Sequence, residues 1–193
     1  MLGSCQEPAT PEPATLDEEC AVYSVVIQSR FVEKGIERIV VADHTLMGLP
    51  PVMMGMTEFG ASQEMKKIRD VAIKDTVEDY EQKNKSSVPL EKKIPLKVPL
   101  VFISEDERDR IFLTSKGGKE IGNPKGFEEF YRRYPKSPGF ITLSRVGFNH
   151  AKTQALLYIG HLCGGLCGSG QFFLLVKERN SWKIQYAATT WVS

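Results

Sequence analysis

Two short apolar runs near the C-terminus constrain the fold more than any other feature of this sequence. The runs are Ala155-Leu-Leu-Tyr-Ile159 and Phe172-Phe-Leu-Leu-Val176, and neither alternates between apolar and polar residues. Runs of this length without alternation are typical of strands that are buried on both faces of a sheet. We therefore expect them to be central strands, with other elements packed over both faces.

Two further strands are predicted beside this pair. The segment Phe140–Phe148 precedes the first run and is followed by a turn at Asn149-His150, and Glu178–Ser181 forms a turn after the second run. The last strand, 182–188, alternates in polarity, so its apolar residues are expected to share one face of the sheet. Those residues are Trp182, Ile184, Tyr186 and Ala188. The C-terminal third is thus predicted to be a four-stranded antiparallel meander.

Helical spacing and acidic residues predict short helices before this meander. A first helix is expected over Asp17–Phe31, where acidic residues fill the first turn and Cys20 belongs to the apolar face, so that Cys20 is a core residue. Two short helices are expected between residues 62 and 84. The second of these is predicted to take its N-cap from Asp75-Thr76.

Two more helix starts follow along the chain. Ser104-Glu-Asp-Glu107 has the form of a capping box, and Asn123-Pro124 places a cap residue before a proline at the first helical position of Lys125–Tyr134. The charged run Glu105–Arg110 is then expected to be a solvated helix face. Strands are predicted at Ile36–Ala42 and Val98–Ile103, and irregular loops at Met47–Met56 and Lys116–Lys119.

These elements predict an α+β fold. Short N-terminal and interleaved helices are expected to pack on a curved antiparallel β-sheet that ends in the four-stranded meander. With 193 residues, the chain is long enough to bury a core as one domain, which we place at residues 17–193. Residues 1–16 are expected to form a flexible tether, because three prolines fall within residues 6–15.

The tether begins with a possible lipidation signal. Leu2-Gly-Ser-Cys5 resembles the lipobox of a bacterial lipoprotein, in which the cysteine carries the lipid. A short apolar segment should precede a lipobox, and this sequence has none before Leu2. The alternative is an accidental match of four residues. A proline-rich tether directly after Cys5 favours the lipoprotein interpretation, since an anchored domain needs a spacer.

Composition excludes several kinds of partner. The formal net charge is +1, so no strong field steers the chain toward nucleic acid or an acidic membrane surface. We find no apolar run of transmembrane length. Membrane contact is therefore expected only through the lipid at Cys5, and the partner is expected to be a protein or a small molecule.

Several C-terminal motifs together resemble a family of bacterial exported proteins and lipoproteins to which no activity is assigned. The matching segments are Thr142–Asn149, Thr153-Gln-Ala155, Cys163–Gly170, Trp182 and Trp191-Val-Ser193, with Ala21–Ser24 and Pro89–Glu91 nearer the N-terminus. The resemblance implies export to the cell envelope, as a periplasmic or surface lipoprotein, and a common fold. It transfers no catalytic residue.

Cys163 and Cys167 lie in the connection between the two apolar runs, and four interpretations are open. A nucleophilic cysteine could use His161 as its base, or the pair could be redox-active. A metal site would need another ligand beside His161, and we predict none. A local disulfide or two packed thiols would only shape the loop. Export favours the disulfide, because the envelope is oxidising.

The remaining candidates are glycines and one arginine. Gly164, Gly165, Gly168 and Gly170 could form an anion-binding nest, but positive φ angles in a long connection over residues 162–170 are the more common use of such glycines. Arg145 lies in a predicted strand and is either a ligand contact or a partner in a salt bridge.

These observations lead to two functional hypotheses. The first is an exported, lipid-anchored binding or structural domain without catalytic activity, cofactor or metal. The second is a thiol-dependent hydrolase or redox enzyme centred on Cys163 or Cys167 with His161. A bonded cysteine pair would count against the enzyme, and a reactive free thiol would favour it.

Overall fold

The computed structural model describes residues 16–48, 63–90, 93–112 and 124–193. Within these residues the chain forms five helices and a seven-stranded mixed sheet, which makes it an α+β protein as predicted. The helices are α1 (Leu16–Phe31), α2 (Gln63–Val71), α3 (Lys74–Lys83), α4 (Glu105–Phe112) and α5 (Pro124–Arg133). The strands are β1 (Ile39–Ala42), β2 (Leu100–Ile103), β3 (Phe140–Leu143), β4 (Gly147–Phe148), β5 (Gln154–Gly164), β6 (Cys167–Glu178) and β7 (Ser181–Val192).

Some predicted features lie outside these residues. Cys5, most of the tether and the loop Lys116–Lys119 are not described, and the loop Met47–Met56 is described only as far as Gly48. Predictions about them stay predictions.

The sheet has the strand order β2-β1-β3-β5-β6-β7, and β4 also pairs with β5. From β3 onward every pairing is antiparallel, which confirms the meander, although its predicted first strand is divided into β3 and β4. β1 runs parallel to both β2 and β3, and the sequence analysis did not predict this. Parallel neighbours need a crossover connection, and here helices lie in the long connections after β1 and β2.

Helices cover both faces of the sheet. Phe173 and Leu175 of β6 pack in a cluster with α1, whereas Phe172 and Leu174 pack on the other side with α2 and α3. The helices α4 and α5 cover β1 and β3 through an aromatic cluster around Phe130. Both apolar runs are buried throughout their predicted lengths apart from the half-buried Val176, as expected for central strands.

The predicted single apolar face of the last strand is wrong in its second half. Trp182 and Ile184 pack in the α1 cluster, but Tyr186 and Ala188 belong to the α2–α3 cluster on the opposite side. The cause is a bulge at Gln185: Leu175 pairs with Ile184, and the preceding residue of β6 pairs with Tyr186. One extra residue moves all later side chains to the other face.

The β5–β6 connection is shorter than predicted. β5 continues to Gly164 and β6 begins at Cys167, which pairs with it, so only Gly165 and Leu166 form the turn. A register shift between Leu162 and Gly164 marks a bulge at the base of this turn. The connection is therefore a tight hairpin rather than a loop over residues 162–170.

The predicted cap of α3 is also wrong. The helix begins after Ile73, whose side chain makes no capping hydrogen bond. Instead, the Gln154 side chain caps it from β5: Oε1 accepts the Ile73 N–H at 2.6 Å, while Nε2 donates to the Val71 carbonyl at 3.1 Å. One amide group thus serves the end of α2 and the start of α3. The cap of α4 is confirmed, since Ser104 Oγ accepts the Glu107 N–H at 3.2 Å.

Candidate functional site: an open cleft beside the parallel strands

Several residues of the C-terminal motifs have structural roles. The Ser144 hydroxyl donates to the Arg145 carbonyl at 2.9 Å and accepts the Tyr158 N–H at 2.9 Å. At Gly147 a Cβ atom would lie 2.4 Å from the Tyr80 Cβ, so α3 can approach β4 only over a glycine. Asn149 Oδ1 accepts the N–H groups of the two residues that lead into β5, at 2.9 and 2.8 Å.

Arg145 forms a salt bridge rather than an open ligand contact. Its Nη2 donates to Glu19 Oε1 at 2.7 Å, and this ion pair raises the pKa of Arg145 above its usual value. Lys83 Nζ lies 3.8 Å from the same carboxylate, and the Tyr23 hydroxyl lies 3.4 Å from its other oxygen. Glu19 is only 5% exposed, so these partners take the place of water around its carboxylate.

The structure pairs Cys163 and Cys167 as a disulfide, with their Cα atoms 5.0 Å apart. His161 does not bond to either of them: Nε2 donates to the Pro138 carbonyl at 2.9 Å, and the ring packs against Phe31 with a centroid separation of 4.9 Å. Burial lowers the pKa of His161. A bonded sulphur cannot act as a thiolate nucleophile, so no observation favours the thiol-dependent enzyme.

Gly168 and Gly170 of the hairpin serve packing rather than a left-handed backbone. Positive φ angles occur at Gly35, Gly48 and Gly139 among the described glycines, not at Gly164, Gly168 or Gly170. A Cβ on Gly170 would lie 2.0 Å from Trp191 Nε1 and 2.1 Å from the Tyr158 hydroxyl; one on Gly168 would lie 3.1 Å from the same indole. The glycines let this indole lie on the strand. The predicted positive φ angles are therefore wrong for Gly164, Gly168 and Gly170, and a nest, which needs left-handed residues, gains no support at these positions.

An open cleft of about 510 Å³ lies where β1 and β2 end. Such carboxyl ends are where ligands commonly bind in sheets with parallel strands. Ala42 pairs with Ile103 at the ends of the two strands, so the polar residues that follow each strand come together. The cleft is lined by residues 42–47, Ser87, residues 103–106, Arg108, Phe140 and Thr142. We call it the acidic cleft.

Most of the charged side chains in the described lining of the acidic cleft are carboxylates. Asp43, Glu105 and Asp106 contribute to it, and Asp43 Oδ1 lies 2.8 Å from His44 Nδ1. Arg108, the one arginine among the described residues of the lining, contacts Glu105 at 3.0 Å and Asp109 at 2.8 Å. Its charge is thus already neutralised, and the described part of the lining is net negative. This arrangement suits a ligand with a cationic group.

The sequence analysis did not single out this cleft. It predicted a strand that ends at Ala42 and, some sixty residues later, a helix cap at Ser104–Glu107, without connecting the two. The available signal was polar residues directly after two short apolar strands. That signal becomes informative only when the strands are known to be parallel neighbours.

The chain was compared with protein-family models, with curated proteins and with solved structures, and no match was found. The predicted family resemblance therefore stays a prediction. In the part of the chain that the structure describes, no helix is long and apolar enough to cross a bilayer. The same residues contain no group of three or more His, Cys, Asp or Glu side chains placed to hold a metal ion.

Proposed function

We propose that this protein is a non-enzymatic binding domain, exported and lipid-anchored in the bacterial envelope, that takes a small cationic ligand in the acidic cleft. The observation that carries the proposal is the convergence of three carboxylates on one open cleft of about 510 Å³. That volume is within the range of about 300–1,000 Å³ that is typical of small-molecule sites.

The groups around the cleft set the chemistry of the ligand. Ser87 Oγ donates to the Thr45 carbonyl at 2.6 Å, and Thr45 Oγ1 accepts the Val88 N–H at 3.0 Å, so these hydroxyls hold the wall together. Asp43 and Glu105 each have a further carboxylate oxygen with lone pairs for a donor. An amine or guanidinium group supplies both the donors and the opposite charge.

Lipid anchoring rests on Cys5 and the proline-rich segment after it. The test is growth of the bacterial host with an alkyne-bearing fatty acid, followed by fluorophore attachment and gel analysis of the full chain. We expect labelling of the wild type and none of Cys5→Ser. Equal labelling of both would remove the anchor from the proposal.

Ligand binding is tested by nuclear magnetic resonance titration of the full chain with butane-1,4-diamine as the cationic probe. Butane-1,4-diol has the same length without charge and is the matched ligand control. We expect saturable shifts in residues of the acidic cleft with the diamine only. In Asp43→Asn and Glu105→Gln, the dissociation constant should rise about tenfold or more, since hydrogen bonds to charged groups contribute about 1.5–3 kcal/mol.

Glu78→Gln is the matched protein control, because Glu78 is an exposed carboxylate on α3 that does not line the cleft. It should bind the diamine like the wild type. Shifts spread evenly over the protein surface, or equal affinities for the diamine and the diol, would overturn the assignment of the cleft.

A further inference from the structure

The β5–β6 hairpin ends in a solvent-exposed tip that the disulfide closes. Both turn residues, Gly165 and Leu166, are exposed, and Leu166 is 91% exposed. Cys167 is exposed as well, whereas Cys163 is half-buried. A small reagent in solution therefore reaches the disulfide from the side of Cys167.

Backbone pairing contributes little to closing this tip. Cys163 is the extra residue of the bulge, since Leu162 pairs with Gly168 and the next pair is Gly164 with Cys167. The bulged residue has no partner across the ladder, and one pair remains between it and the turn. Glycine loses more conformational freedom on folding than any other residue, so a pair that contains glycine is weak. The disulfide is thus the main link that holds the tip closed.

The two sulphurs differ in their surroundings. The Tyr131 hydroxyl of α5 donates to the Cys163 carbonyl at 2.9 Å. At Gly139, just before β3, a Cβ atom would lie 3.1 Å from the Cys163 Cα, so this segment packs directly against Cys163. Since access to the sulphur governs the rate of exchange, Cys167 is the sulphur that an external thiol attacks.

The end of β7 packs on the residues that follow Cys167. The Ser193 N–H donates to the Gly168 carbonyl at 3.0 Å. The Trp191 indole lies over Gly168 and Gly170, and its Nε1 donates to the Tyr158 hydroxyl at 2.8 Å. We call this packing of the indole on the two glycines and the hydroxyl the indole contact. Because Gly168 is bonded directly to Cys167, a displacement of Cys167 reaches the indole contact.

We propose that Cys167 is a site of thiol–disulfide exchange with a low-molecular-weight thiol, and that opening of the bond disrupts the indole contact. The thiolate attacks Cys167 Sγ, the bond to Cys163 Sγ breaks, and Cys163 leaves with the electron pair and takes up a proton. A second thiol attacks the sulphur of the bound reagent and releases Cys167 as a thiol. One protein disulfide and two thiols thus give two cysteine thiols and one small disulfide. This site is independent of the acidic cleft and of the lipid anchor.

The first test compares rates of opening by glutathione in the full chain with Cys5→Ser, in native buffer and in concentrated urea. The reaction is stopped with acid, and the hairpin peptide is analysed by mass spectrometry. We expect the native rate to be within about tenfold of the rate in urea, because the exposed sulphur is accessible without unfolding. If opening required unfolding, the native rate would be lower by about 10³-fold or more, since folded-to-unfolded ratios are about 10³–10⁸. That result would overturn the proposal.

The position of the first glutathione adduct is found by fragmenting the same peptide after short reaction times. We expect the adduct on Cys167, and an adduct mainly on Cys163 would contradict the assignment of the accessible sulphur. Cys20 is the internal control, because it is a thiol outside the disulfide and only 7% exposed. It should stay unmodified in the native protein. Modification of Cys20 at the rate of Cys167 would mean that glutathione enters through unfolding, and the proposal would be wrong.

The link to β7 is tested by nuclear magnetic resonance of the two indole N–H groups. Opening should shift the Trp191 resonance and leave that of Trp182, at the other end of β7, unchanged. Gly170→Ala disturbs the indole contact, so by linkage it should raise the equilibrium constant for opening about fivefold or more. Trp191→Phe should act alike, which covers the case that the alanine variant folds poorly, and Trp182→Phe is the matched control. An unshifted Trp191 resonance, or wild-type equilibria in both variants of the contact, overturns the coupling.

Discussion

Arg145 Nη2 donates to Glu19 Oε1 at 2.7 Å and joins the β3–β4 connection to the first turns of α1, 126 residues earlier in the chain. The Tyr23 hydroxyl donates to the Ser144 carbonyl at 2.8 Å beside this pair, and Lys83 donates to the Val146 carbonyl at 3.1 Å. Three segments that are remote in sequence therefore meet around one buried carboxylate.

Replacing Arg145 with Met should strongly destabilise the protein, because it leaves the Glu19 charge buried with weaker compensation. We expect a loss of about 3–5 kcal/mol of unfolding free energy, measured by urea denaturation. Glu19→Gln in the same chain should recover much of this loss. Lys74→Met, which breaks the exposed pair with Glu78, is the control and should cost at most about 1 kcal/mol. If Arg145→Met cost no more unfolding free energy than the Lys74→Met control, the buried ion pair would not be needed for stability.

Trp182 is an anchor of the α1 cluster, where it is 6% exposed and its Nε1 donates to Glu18 at 3.0 Å. Trp182→Ala should cost about 3–5 kcal/mol, since it removes a large buried ring. Trp182→Phe keeps most of the packing and should cost less. Lys183→Ala, on the exposed side of β7, should change stability by no more than about 0.5 kcal/mol. An unchanged denaturant midpoint for Trp182→Ala would contradict the assignment of its face.

Gly170→Ala should displace the Trp191 indole, which donates to the Tyr158 hydroxyl at 2.8 Å. The added methyl group would overlap both groups, so we expect about 1–3 kcal/mol of destabilisation and a large shift of the indole N–H resonance. Gly164→Ala is the matched change, since its Cβ would meet Cys167 Cβ at an ordinary 3.4 Å. Equal effects of the two substitutions would refute the packing explanation.

Cys163 and Cys167 should resist alkylation in protein purified without reductant and take two labels after reduction, as seen by mass spectrometry of the hairpin peptide. Replacing both with Ser should cost only about 2 kcal/mol, because the closed ring is small. Two labels before reduction would contradict the disulfide and return the thiol-dependent enzyme to consideration.

Acid should weaken the contact between α1 and the β6–β7 hairpin. Burial alone would raise the pKa of Glu18, but hydrogen bonds from Lys177 and Trp182 outweigh it and lower that pKa below its usual value. A carboxyl group whose pKa is lower in the folded state than in the unfolded state stabilises the fold when the pH is above the unfolded pKa, here about 4.3. That stabilisation is lost as the pH falls through the pKa of the folded state. In Glu18→Gln, the urea midpoint should therefore fall less steeply below about pH 5 than in the wild type. If the urea midpoints of Glu18→Gln and the wild type fell equally with pH, Glu18 would not contribute this pH-dependent stability.

Much of the fold follows from local pattern. The helix α1 begins one residue before its predicted start, the Ser104 cap is present, and both unalternating runs are buried central strands. Each of these three features depends on residues that are neighbours in sequence or on hydrophobic periodicity. A short stretch of sequence is therefore enough to predict it.

The acidic cleft could not be predicted in this way. Its carboxylates come together because Ala42 pairs in parallel with Ile103, and no local pattern specifies which strands become neighbours. The role of Gln154 is similar, since its amide caps helices that lie some eighty residues earlier in the chain.

The sequence by itself determined the α+β class, the order of helices and strands, and the burial of the two apolar runs, because burial of apolar surface is read from side-chain type and spacing. Only the tertiary structure decided the parallel pairing of β1, the change of face at Gln185 and the union of Asp43 with Glu105 in one cleft. A single extra residue in β7 reverses the face of every residue after it, and that choice is made by pairing with β6 rather than by alternation in β7 itself.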